Sequence, residues 1–97
     1  MKTIRISQNA GTFAENKDVA RAYRLEQILP ALEGGEDRVI LDFANITGAT
    51  QSFVHALISD VIRKYGDEIF ARLYFKHCSP AVQQVVNIVA DYMEESY

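Results

Sequence analysis

The apolar pattern opens with an alternation. Ile4 and Ile6 fall between Thr3, Arg5 and Ser7, the period of a short strand with one buried side. Gln8-Asn9-Ala10 reads as a turn, and Gly11-Thr12-Phe13 as a second short strand. The period then changes. Val19, Ala22, Tyr23, Leu25, Ile28, Leu29 and Leu32 recur at helical spacing between Lys17 and Leu32. Asn16 or Lys17 stands ahead of the first turn, and Asp18 suits the positive end of the helix dipole. Pro30 has no N–H to give the preceding turn, so a kink or break is expected near Leu29, with Gly34-Gly35 ending the element.

Residues 38–44, Arg-Val-Ile-Leu-Asp-Phe-Ala, form a nearly continuous apolar run, the pattern of a central strand covered on both faces. Val54, Leu57, Ile58, Val61, Ile62 and Tyr65 give the stripe of a second helix from Phe53 to Tyr65, closed by Gly66. From Ile69 to His77 the chain alternates again, placing Leu73, Phe75 and His77 on one face and Arg72, Tyr74 and Lys76 on the other. Ser79-Pro80 sets a preferred cap before a proline tolerated at the first helical position. A third helix follows, striped by Val82, Val85, Val86, Val89, Tyr92 and Met93, and the tail Glu94-Glu95-Ser96-Tyr97 is expected to fray. The order β-(β)-α-β-α-β-α specifies an α/β fold whose helix-separated strands pair in parallel through right-handed crossovers. The N-terminal strand is assigned an antiparallel partner. The expected architecture is a mixed sheet of three to five strands packed with three main helices, in a single domain over residues 1–97.

Composition narrows the picture. A 97-residue chain with 48% hydrophobic and 24% charged residues is an ordinary globular domain and not a disordered tail or coiled coil. One cysteine excludes a disulfide within the chain. A formal charge of -3 argues against nucleic acid as partner. No apolar run reaches the roughly 20 residues a bilayer needs, and residues 1–7 lack the apolar stretch of a leader, so a cytoplasmic protein is expected.

Enzyme signatures are thin. The glycines fit no phosphate-binding fingerprint, and His55, His77 and Cys78 are the only soft metal ligands, so no metal and no cofactor is expected. Cys78 precedes a helix start, where a thiol becomes more acidic; the competing reading is a small packed hydrophobe. Lys17, Arg21 and Arg24 recur on one helix face, as a candidate anion patch or a solvated polar surface. The segment from Leu41 to Phe53 carries most. A strand ends near Asp42, a loop follows, and hydroxyl residues stand where a helix begins, the place where parallel α/β sheets form sites. Thr50 or Ser52 caps that helix, or one of them accepts a phosphate, which a helix N-terminus tolerates and which changes what docks there. Asp42 orders the loop by accepting backbone hydrogen bonds, or belongs to a site.

Here the sequence resembles a STAS domain, and more closely the bacterial STAS-like family of unknown function. The shared pattern is a strand ending in Leu41-Asp42-Phe43, a short loop, then Ser52-Phe53 opening a helix. Gly11-Thr12-Phe13 and the helix from Lys17 to Arg24 resemble the family's upstream segment, and the likeness extends over about residues 3–93. STAS proteins of the anti-sigma-factor antagonist type are not enzymes; a partner kinase phosphorylates a serine or threonine at this helix start, and the phosphate controls partner exchange. The resemblance implies Ser52 as phosphoacceptor, Thr50 as the nearby alternative, and another protein, of the histidine-kinase-like ATPase type, as partner. The docking surface would comprise Asp42, Asn45, Thr47, Gly48 and Gln51. Two rivals stand beside this partner switch: a small-ligand or nucleotide-binding domain using the same loop, and a structural homodimer paired through the N-terminal strand.

Overall fold

In the computed structural model, which describes residues 1–95, Val39–Asp42 (β3) lies between Lys2–Arg5 (β1) and Leu73–Lys76 (β5). Both neighbours pair with β3 in parallel, Ile4 and Phe75 flanking Leu41 in the register. The N-terminal strand is therefore a parallel edge strand and not an antiparallel one. Its carbonyl end leads into a single helical turn, Ser7–Ala10 (α1), where a simple turn was expected. The Tyr23 hydroxyl secures this junction. It lies 2.8 Å from the carbonyl oxygens of both Arg5 and Ile6 and accepts the Asn9 amide at 3.1 Å.

A second ladder is only two residues long. Phe13–Ala14 (β2) pairs in parallel with Gly48–Ala49 (β4), a strand the sequence pattern did not announce. A Cβ on Gly48 would meet the Phe13 ring at 2.8 Å, so a larger residue there would displace that ring.

The first long helical pattern is divided. Lys17–Tyr23 (α2) is α-helical, capped by the Asn16 side chain accepting the Asp18 amide at 2.9 Å. Arg24–Ile28 is a π-turn, and Leu29–Glu33 (α3) resumes the α form. The wider turn carries the Leu29 amide to the Arg24 carbonyl, so Pro30 sits in a fresh first turn where its missing N–H costs nothing. The break expected near Leu29 is thus a change of helical register.

Gln51–Tyr65 (α4) follows, ending at Gly66 with φ 79°. Residues 69–71, expected to start a strand, belong to a 3-10 turn (Asp67–Ala71) before β5. Pro80–Glu95 (α5) completes the chain, its start capped by Ser79 Oγ accepting the Val82 amide at 3.2 Å. Glu94 and Glu95 continue the helix; Ser96 and Tyr97 of the expected fraying tail lie outside the described residues.

The strands deliver Ile4, Val39, Leu41 and Leu73 to one face, where they are buried against Phe53, Val54, Leu57, Ile58, Val82 and Val86 of the helical layer. The opposite face carries Thr3, Arg5, Tyr74 and Lys76, all exposed, with Ile40 and Asp42 half-buried. The apolar run of β3 is therefore covered on one side only, contrary to the pattern of a doubly covered strand.

Candidate functional site

Residues 50–52 divide the two hydroxyls by role. Thr50 is the N-cap of α4: its backbone is extended, and its Oγ1 accepts the Phe53 amide at 3.1 Å. Ser52 lies inside the first turn and is exposed, and among the described residues its hydroxyl has no hydrogen-bond partner. It borders an open depression of about 470 Å³ shared with Gln51 and His55 of α4, Lys17 at the start of α2, and Ile88 and Tyr92 of α5. Tyr92, expected in the apolar stripe of α5, is 61% exposed and faces solvent here and not the core; Ile88, outside that stripe, is 43% exposed. The His55 ring stands 6.4 Å from that of Tyr92, tilted by 58°. The surface thus joins a hydroxyl, a cation and two large apolar side chains.

The expected cationic patch is broken by Arg24. Its Nη1 donates to the Ala56 carbonyl of α4 at 2.7 Å and lies 3.4 Å from the Asp60 carboxylate, with only 12% of the side chain exposed. Arg24 continues the α2 backbone, and its long side chain is drawn across to α4 by these two partners. Arg24 is a strut between two helices. Lys17 joins the Ser52 depression, and Arg21 stays on the outer surface.

The expected docking loop also divides. Thr47 and Gly48 hold the small ladder: Thr47 donates to the Thr12 carbonyl through its amide at 2.7 Å and its hydroxyl at 3.1 Å, and Gly48 is buried against Phe13. Gln51 stands beside Ser52. Asp42 and Asn45 face a different cavity, at the edge where β1, β3 and β5 all end. There Asp42 Oδ1 accepts the Ala44 amide at 2.9 Å and lies 3.0 Å from His77 Nδ1. The Ala44 amide foremost, then His77, hold the Asp42 carboxyl below its ordinary range, against the opposing effect of its partial burial.

His77 is the residue strand alternation misplaced. It has φ 60°, and this left-handed backbone ends β5 and turns the ring onto Asp42 instead of the Leu73 face. The available signal was topological: parallel strands end at one edge, and the register Asp42 to Lys76 brings the next residue alongside. Cys78 is half-buried against the core, and burial, aided by the Asp42 charge, pushes its thiol up. That fits the packing reading and not a reactive thiol. Among the described residues no group of three His, Cys, Asp or Glu side chains is disposed to hold a metal, and no helix is long and apolar enough to cross a membrane.

The family model for the STAS-like domain of unknown function matches residues 25–83, from the π-turn through the start of α5. That span holds Asp42, Thr50, Ser52 and His77, while Lys17, Ile88 and Tyr92 lie beyond it. No curated protein matches the chain, and no solved structure does. With well over half of its residues inside that match and an α/β sheet-and-helix architecture to go with it, the chain belongs to the STAS-like domains of unknown function (DUF4325).

Proposed function

We propose that this domain is a non-enzymatic protein-interaction module, and that its docking surface is the depression around Ser52. The observation that carries the reading is the separation of the two hydroxyls. Thr50 is spent on the helix cap, whereas the Ser52 hydroxyl faces solvent between Lys17 and the exposed side chains of Ile88 and Tyr92. An exposed apolar pair ringed by polar groups is the composition of a transient protein interface.

Phosphorylation of Ser52 gives such a surface two states. The first amides of α4, at Gln51 and Ser52, have no carbonyl within the helix, so the positive end of the helix is available to a phosphate. The fold therefore tolerates the modification. The added charge of about -2 sits beside Ile88 and Tyr92 and opposes docking of an apolar or acidic partner surface. By analogy with anti-sigma-factor antagonists, the partner is a histidine-kinase-like ATPase that both binds and phosphorylates the domain, in the cytoplasm where ATP is available. Thr50 is the poorer acceptor, because its hydroxyl oxygen is already held by the Phe53 amide and the residue is less exposed than Ser52.

Binding of this ATPase is measured with native protein, Ser52→Ala and Ser52→Asp. The proposal expects Ser52→Ala to bind like the native chain and Ser52→Asp to bind at least ~10-fold more weakly. Equal affinity of the three proteins would overturn it.

A further inference from the structure

The second cavity lies apart from the Ser52 surface and shares no lining residue with it. It has a volume of about 350 Å³ and sits at the carboxyl edge of the parallel sheet, where α/β folds collect their ligands. Arg5 closes β1, Asp42 closes β3, and His77 follows β5, so three strands contribute to it. Ser7, Gln8 and Asn45 complete its polar wall.

Two features mark it as more than a surface dimple. Among the described residues only Asn45 and His77 adopt positive φ without being glycine, at 69° and 60°, and both line this cavity. L side chains adopt that conformation at a cost, and such residues concentrate where side chains must be aimed. Moreover, beside the bonded Asp42–His77 pair stand four polar side chains, Arg5, Ser7, Gln8 and Asn45, that make no side-chain hydrogen bond among the described residues.

The Asp42–His77 pair fixes what the ring presents. Asp42 is held as a carboxylate, which only accepts, so the proton of a neutral His77 ring belongs on Nδ1. The Nε2 lone pair is then left as an acceptor. Arg5 offers a planar fork of donors suited to a carboxylate. The charges lining the cavity, Arg5 and Asp42, offset each other, so a second negative charge on a ligand would face Asp42 with no lining cation to meet it. We propose that this cavity binds a small monoanionic carboxylate bearing a neighbouring hydroxyl, with Arg5 holding the carboxylate and His77 Nε2 accepting the hydroxyl hydrogen. This goes beyond the Ser52 reading and stands without it.

Lactate and propionate, which differ by that hydroxyl alone, are titrated calorimetrically into the full chain, Arg5→Met and His77→Asn. Asparagine tolerates positive φ and retains a donor for Asp42, while its shorter amide places no acceptor where His77 Nε2 stands. The proposal expects saturable lactate binding by the native chain, with propionate at least ~10-fold weaker. It expects Arg5→Met to weaken lactate by ~10-fold or more, and His77→Asn to erase the preference for lactate. No saturable lactate binding, equal binding of the two acids by the native chain, or unchanged lactate affinity in Arg5→Met would each overturn it. The native and Arg5→Met titrations decide the matter even if His77→Asn does not fold.

Discussion

Removing each hydroxyl at the start of α4 in turn separates a cap from a docking group. In Thr50→Ala the Phe53 amide loses the oxygen that accepts it at 3.1 Å, and Phe53 itself is fully buried, so water reaches that amide poorly. Loss of such a cap costs about 1 kcal/mol, within a range of roughly 0.5–2. A domain of 97 residues unfolds with an entropy of about 0.2 kcal/mol/K near 60 °C, so Thr50→Ala should lower Tm by about 5 °C. Ser52→Ala removes a hydroxyl with no partner among the described residues and adds the better helix former, worth up to about 0.5 kcal/mol, so its Tm should hold or rise by ~2 °C. Ser52→Asp should gain a few tenths of a kcal/mol, because its charge faces the positive end of the helix. The assay is thermal and urea unfolding of the variants at pH 7, followed by two probes to check two-state behaviour. If Ser52→Ala falls by as much as Thr50→Ala, or Thr50→Ala does not fall, the division of roles is wrong.

Other substitutions probe the frame that positions the sites. Tyr23→Phe strips the buried hydroxyl that meets the Arg5 and Ile6 carbonyls and the Asn9 amide, and should cost about 2 kcal/mol, or ~10 °C in Tm. Burial raises the Tyr23 phenol above its ordinary value, more than the Asn9 amide lowers it. The folded state therefore holds this proton more tightly, and native stability should decline as pH rises past about 10, a decline absent from Tyr23→Phe. Asp42 has the opposite sign. Its folded carboxyl titrates below its unfolded value, so it stabilises the fold above about pH 4 and that contribution is lost as pH falls further. The acid limb of a urea-midpoint profile should be shallower in Asp42→Asn than in the native protein.

The sequence disclosed elements where one interaction dominates. The α4 stripe and the Ser79-Pro80 start of α5 were legible because period and cap chemistry are local. Pro30 announced a break, but not its form, since a π-turn depends on how Arg24 and Ile28 are seated against α4. The short strand expected at Gly11-Thr12-Phe13 is met at Phe13 in β2, but its partner β4 escaped notice because two residues carry no period. The bare sheet face was hidden because Ile40 reads as apolar whether or not a helix covers it. Of the site, Ser52 and its helix start were legible from the change of pattern after Asp42. Its neighbours Lys17, Ile88 and Tyr92 come from distant segments that only the packing brings together. The Asp42–His77 contact needed a departure from strand alternation that no periodicity rule predicts.

The account turns on Ser52 as the group a second protein reads and marks. The most direct measurement incubates the purified chain with a cognate histidine-kinase-like ATPase and ATP, then maps the phosphate by mass spectrometry. The account predicts phosphate on Ser52, none on Thr50, and none in Ser52→Ala. Phosphate confined to another residue, or a chain left unmodified by a kinase that binds it, would contradict the account.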